Sequence, residues 1–183
     1  FRSVYSPKQI EFIDSTSASG NRVYIRSLCM ILYKAVEDVV KGLHLRIEHS
    51  ISKGHYCRLI NPNNGIAENV TDELVSEIKC RMNEIINADI PFVRKEKLTT
   101  DVIEIFKSQN LNDKVQLLET GHNLYTVYYQ LDNLCDCYYG PLAPSTACIR
   151  TFNLQQYKEG FLLLGHSNDN PEIAQSPIKQ EKM

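Results

Sequence analysis

Residues 133–146 read Asn-Leu-Cys-Asp-Cys-Tyr-Tyr-Gly-Pro-Leu-Ala-Pro-Ser-Thr. Two Cys, an Asp and two Tyr run straight into a Gly-Pro turn, and a second Pro follows within three residues. A half-buried strand entering a rigid turn holds its side chains at fixed angles, as a binding or catalytic site requires. Asp136 sits between apolar neighbours and needs a partner if it is buried, with Arg26 and Lys114 as the candidates. Tyr138 and Tyr139 alternate across a strand, so one faces the core and the other faces a site or a stacked base.

Outward from this stretch, the pattern is mixed. Residues 11–14 read as a short strand and residues 15–21 as a turn. Residues 23–41 carry Tyr24, Leu28, Ile31, Leu32, Ala35, Val36 and Val39 at helical spacing, with Gly42 as the stop. Residues 43–49 alternate apolar and polar, turn at Ser52-Lys53-Gly54, and pair with residues 55–60 as a hairpin. Residues 61–65 form a loop. Thr71 caps a helix reaching about Ala88, with Leu74, Ile78, Met82, Ile85 and Ile86 as its stripe. Residues 92–97 form a strand, Thr99 caps a helix through Ser108, and residues 111–119 fit either helix or loop. Residues 122–131, 134–139, 147–153 and 160–165 read as strands, the tyrosine content favouring β in the first two. Hairpins without βαβ alternation give an α+β fold, long helices packed on an antiparallel sheet.

The 183 residues suffice for one full core, and 43% apolar with 23% charged residues describes a globular chain. A net charge of −2 excludes a strong whole-domain field for nucleic acid but leaves room for a local basic face at Arg22, Arg26, Arg46, Lys53 and Arg58. No apolar run reaches the roughly 18 residues of a membrane span. The six Cys form no Cys-x-x-Cys pair and are expected as buried or free thiols in a reducing cytosol, over disulfides or a metal site. His44, His49, His55 and His122 lack ligand spacing, so no metal is expected. No phosphate-binding Gly-rich loop is present.

The stretch resembles a signature of the threonyl-tRNA synthetase editing domain, the "second additional domain", where a strand ends Asp-Leu-Cys-Arg-Gly-Pro-His-Val-Pro-Ser-Thr. Asp136, Gly140, Pro141, Pro144, Ser145 and Thr146 match it, while the family's Cys and His fall on Tyr138 and Leu142. The family's Arg-His-Ser-x-x-His helix is similar to residues 25–36, where its two His become Arg26 and Met30. Its Gly-Phe-Tyr-Tyr run resembles residues 54–57 and keeps the first Tyr as Tyr56. Its Tyr-Lys-Val-x-Leu-Leu-Glu run resembles residues 113–119 and keeps its pocket Lys as Lys114. The resemblance covers residues 22–165. It implies former editing-pocket positions at Arg26, Met30, Tyr138 and Leu142, all changed, and retained pocket candidates at Tyr56, Lys114 and Asp136. Deacylation needs a positioned water and a base to take its proton, and the replacements supply neither.

This degenerate form resembles the region ahead of the kinase half of bacterial nucleoside kinases of the uridine kinase type. The resemblance rests on residues 24–28, 52–57, 138–146 and 157–164. It implies a lead-in at residues 1–21, an editing-like domain at 22–166, and a polar linker at 167–183 towards a C-terminal kinase domain in cis. ATP and Mg are expected for that kinase domain and no cofactor for this part. The implied role is regulatory or ligand-binding, with a nucleotide or other small molecule as ligand, in the cytoplasm and away from membranes. A tRNA-binding module and a residual aminoacyl-tRNA deacylase are the alternatives.

Overall fold

The structure, a computed structural model, describes residues 7, 13–51, 53–167 and 170–176. The elements in order are α1 (Ala18–Val39), β1 (His44–Ile51), β2 (Gly54–Ile60), β3 (Ala67–Glu68), α2 (Asp72–Asn87), β4 (Val93–Leu98), α3 (Thr99–Ser108), α4 (Asn112–Thr120), β5 (Tyr125–Leu131), β6 (Leu134–Asp136), β7 (Asn153–Tyr157) and β8 (Gly160–Leu164). The α+β class expected from the hairpin pattern is what the chain adopts. Its strands divide between two antiparallel sheets, ordered β1-β2-β8-β7 with β3 on β2, and β4-β5-β6.

Several boundaries differ from the sequence pattern for local reasons. The helix expected from residue 23 begins at Ala18, because Ser17 is an N-cap whose Oγ accepts the Gly20 N–H at 3.1 Å. Of the strand expected at 11–14, residues 11 and 12 lie outside the described residues, and Ile13 and Asp14 are not in a strand. Thr71 caps α2 as expected. Thr99 does not cap α3; its buried hydroxyl donates to the Asn123 carbonyl at 2.6 Å and lies 2.8 Å from that of Thr126. The ambiguous residues 111–119 form α4. The strand expected at 147–153 is replaced by a 3₁₀ turn, Thr146–Cys148, closed by the Ile149 N–H on the Thr146 carbonyl. Residues 170–176, expected within a linker, fold back on the domain, where the Gln175 N–H donates to the Gly165 carbonyl at 2.9 Å.

The main core lies between the larger sheet and the buried faces of α1 and α2, and includes Leu28, Ile31, Leu32, Ile78, Met82 and Leu163. A second cluster, Val102, Phe106, Val115, Tyr128 and Cys135, packs α3 and α4 on the small sheet. Strand alternation makes β5 the shared element, with Tyr129 in the first core and Tyr128 in the second. Lys34 is buried on α1 and neutralised by Asp38 at 2.5 Å, which also receives Arg81 at 2.9 Å.

The segment after β6 is fastened to both long helices and to the chain before β4. The Ala143 N–H donates to Ser27 Oγ at 2.8 Å, and the Phe92 N–H donates to the Pro144 carbonyl at 3.1 Å. Thr146, fully buried, accepts the Ile90 N–H at 2.9 Å and donates to the Ile85 carbonyl at 2.8 Å. Pro144, Ser145 and Thr146 are therefore a structural anchor. Thr146→Val keeps the shape and removes both bonds, so it is expected to cost about 2 kcal/mol, seen as a lower urea midpoint at unchanged slope.

Candidate functional site

Arg26, Met30 and Tyr33 follow one another at spacings of four and three along one face of α1. Across from them β6 ends at Asp136, and Tyr138 and Leu142 follow. Of the four positions that the resemblance implies, Met30, Tyr138 and Leu142 carry side chains packed in or against the main core. Met30 is completely buried and Leu142 nearly so, both in the main core, and Tyr138 packs against the same core. The Tyr138 ring meets Tyr129 edge to face, centroids 6.5 Å apart. Its hydroxyl is buried beside Asp136 without a well-placed hydrogen bond, and burial first, then the Asp136 charge, push it well above the usual phenol range.

Arg26 is held differently. Its Nη1 donates to the Tyr139 carbonyl at 2.6 Å, and its Nε is buried without a partner. The guanidinium lies over Gly140, where φ is +126° and an added Cβ would fall 2.3 Å from Nη1. A side chain there would be strained by the backbone and would push the guanidinium aside. The Arg26–Asp136 pair considered from the sequence does not form; Asp136 takes Lys114 instead. Tyr139 is 89% exposed, so the two tyrosines do divide between core and solvent. The division does not come from strand alternation, because β6 has already ended.

Asp136 is the charged centre of this region. It is 2% exposed, and its Oδ1 accepts both the Lys114 Nζ and, at 2.6 Å, the Cys137 N–H. Lys114 reaches it from the first turn of α4 and also lies 5.2 Å from the Tyr33 ring centroid. Burial, reinforced by Asp136, pushes the Cys29 thiol up to about 12 and the Cys137 thiol up to about 11, and raises the Tyr33 phenol in the same direction. At neutral pH these groups are protonated. Among the described residues no imidazole stands with them, Asp136 is paired with an ammonium, and Asp113 adds a second negative charge acting on Tyr33. With their protons held, these thiols supply no thiolate nucleophile.

Tyr56 does not join this set. Adjacent residues of β2 face opposite ways: Cys57 packs in the main core, while Tyr56 packs with Leu162 and Leu164 on the other side of the sheet. Its ring meets His49 and Tyr157, each at 5.9 Å between centroids. All six thiols are free, and among the described residues no group of His, Cys, Asp and Glu could hold a metal ion.

The open space lies to one side of the packed centre. A groove of about 690 Å³ runs between the C-terminal half of α1, β1, and the connection from α3 into α4, with Tyr33 and Lys114 in its lining. Sequence reading did not find it. Tyr33 had a usable signal, seven residues beyond Arg26 on the same helical face. The groove itself had none, because its walls come from distant parts of the chain.

Two outcomes follow from this geometry. Lys114→Met strands the buried Asp136 charge and is expected to cost about 3 kcal/mol, most of it recovered in Lys114→Met/Asp136→Leu, by urea unfolding. Iodoacetamide at pH 8 is expected to modify the exposed Cys80 and Cys148 in the native chain. Cys29 and Cys57 should react only after denaturation, read by mass spectrometry.

No family model matches the chain. Over 147 residues, 80% of its length, it is 29% identical to the threonine–tRNA ligase of Lawsonia intracellularis. It is 27% identical over 146 residues to that of Desulforamulus reducens, and 24% identical over 169 residues, 92% of its length, to that of Streptococcus pyogenes. The matched stretches make up 22% of the first two ligases and 25% of the third, so the chain spans under a third of these relatives. Among the described residues no helix is long and apolar enough to cross a membrane. In sequence and in fold class, the chain is similar to the editing-domain-sized part of threonyl-tRNA synthetases.

Proposed function

We propose that this chain is an editing-like domain that has lost hydrolysis and acts as a regulatory, ligand-binding module. In this reading it works in the cytoplasm, in cis with an ATP- and Mg-dependent kinase domain for a nucleoside of the uridine type. The observation that carries the loss of chemistry is the filling of the former pocket. Met30 and Leu142 are buried apolar side chains, Tyr138 is a protonated phenol, and Arg26 is bound to a backbone carbonyl. A hydrolytic water would need both space and a proton acceptor at these positions. The kinase context is supported by the sequence resemblance at residues 24–28, 52–57, 138–146 and 157–164. Retention of the Pro144-Ser145-Thr146 anchor fits a domain kept for its shape rather than its reaction.

Two measurements test the reading. The purified chain should leave seryl-tRNA(Thr) to hydrolyse at the rate seen in buffer alone, and release of serine that grows with chain concentration would end it. In the parent protein, deleting residues 1–166 should change the nucleoside KM or the response of phosphorylation to nucleotides. Identical kinetics with and without those residues would remove the regulatory role.

A further inference from the structure

We propose that the outer edge of β4 takes up an extended acidic segment of another protein, which joins the small sheet as a further strand. β4 is a terminal strand of the β4-β5-β6 sheet, and all six of its residues, Val93–Leu98, are exposed. Its register on β5 runs from Val93 opposite Gln130 to Leu98 opposite Tyr125. The next pair in that register is bonded, the Thr99 N–H donating to the Leu124 carbonyl at 3.0 Å. Bonded pairs alternate along an antiparallel ladder. Val93, Lys95 and Lys97 therefore turn their backbone groups to β5, and Arg94, Glu96 and Leu98 turn theirs outward. Among the described residues no hydrogen bond reaches these three outward N–H groups. The free edge starts after Phe92, whose N–H is taken by the Pro144 carbonyl, and ends where α3 begins at Thr99. Two other edges are blunted. On β6 the outward Cys135 N–H donates to Gln109 Oε1 at 3.1 Å, and β1 carries a register irregularity between Ile47 and Ser50.

The side chains of β4 select the strand that fits. Lys95 and Lys97 share the face of Tyr128 and Thr126, their neutral partners on β5, and Arg94 stands opposite Tyr129. Among the described residues none of these three cations is in an ion pair. Opposite charges directly across a sheet stabilise it and like charges oppose pairing. The complement is a strand with acids two residues apart, opposite Lys95 and Lys97, and an apolar residue opposite Leu98, beside Tyr125, both of which are exposed. Lysines on an edge discourage apolar strands, and a second copy of β4 would bring three cations of its own. A phosphodiester backbone meets the cations but offers no donor to the outward carbonyls, whereas a polypeptide edge supplies donors and acceptors in alternation.

Fluorescence anisotropy on the chain tests this with the labelled peptide Ser-Val-Glu-Thr-Glu-Glu-Ser, which aligns antiparallel with its Val opposite Leu98. Saturable binding is expected. The same peptide with Lys at each Glu, and the acidic peptide N-methylated at Val, Thr and the last Glu, should bind about tenfold more weakly or worse. Lys95→Glu/Lys97→Glu changes exposed side chains only and should weaken binding about tenfold at an unchanged urea midpoint. Glu96→Pro removes one outward N–H at an edge position that tolerates proline, and should weaken binding likewise. Lys41→Glu, an exposed charge beyond the end of α1, should leave binding unchanged. No saturable binding of the acidic peptide at millimolar concentration overturns the proposal. So does equal binding of the N-methylated peptide, which would leave charge attraction alone, or binding that survives both variants. Tighter binding of oligothymidylate through the same lysines would reassign the edge to nucleic acid. Dimerisation by sedimentation that Lys95→Glu/Lys97→Glu alters would reassign it to a second copy. None of these results bears on the seryl-tRNA outcome.

Discussion

The buried carboxylate of Asp136 constrains everything around it. A charge at 2% exposure must be compensated or the fold loses several kcal/mol. The compensation comes from Lys114, which draws the first turn of α4 against the end of β6 and places an ammonium over the Tyr33 ring on α1. One ion pair thereby ties the small α3–α4 unit to the main core. It also sets the acid–base state of its neighbourhood. Cys29, Tyr33, Cys137 and Tyr138 all feel the negative charge as well as their burial, and all are held in their protonated forms.

The segment following Asp136 is held by its backbone and by buried hydrogen bonds. Gly140 is favoured by a positive φ, with the Arg26 guanidinium close above it. Thr146 is required by two buried hydrogen bonds, and the Pro144 carbonyl by the Phe92 N–H. None of these roles involves a reacting atom. Interleaved with them, Tyr138 and Leu142 pack against the main core. Phenol and isobutyl groups now fill that space.

Open space lies along the edge of the larger sheet. β1 is an edge strand, and the connection into α4 stands across from it without pairing. The result is a groove with a packed apolar side and a mixed-charge lining, one cation of which is oriented by the same Asp136 that organises the interior.

Much of this was legible in the residues alone. Helical periodicity located α1 and α2, alternation located the β1–β2 hairpin, and the Cys-Asp-Cys-Tyr-Tyr-Gly-Pro stretch marked where a buried carboxylate takes its partner. Local patterns encode these because they depend on spacing along the chain. Tertiary structure decided what spacing cannot express. It chose Lys114 over Arg26 as the partner of Asp136, since pairing depends on which helix end reaches the buried oxygen. It turned Tyr56 away from the site, since strand parity relative to α1 is fixed only when the sheet packs. It split the strands between two sheets, replaced the strand at 147–153 by a 3₁₀ turn, and opened the groove between segments some seventy residues apart in the chain.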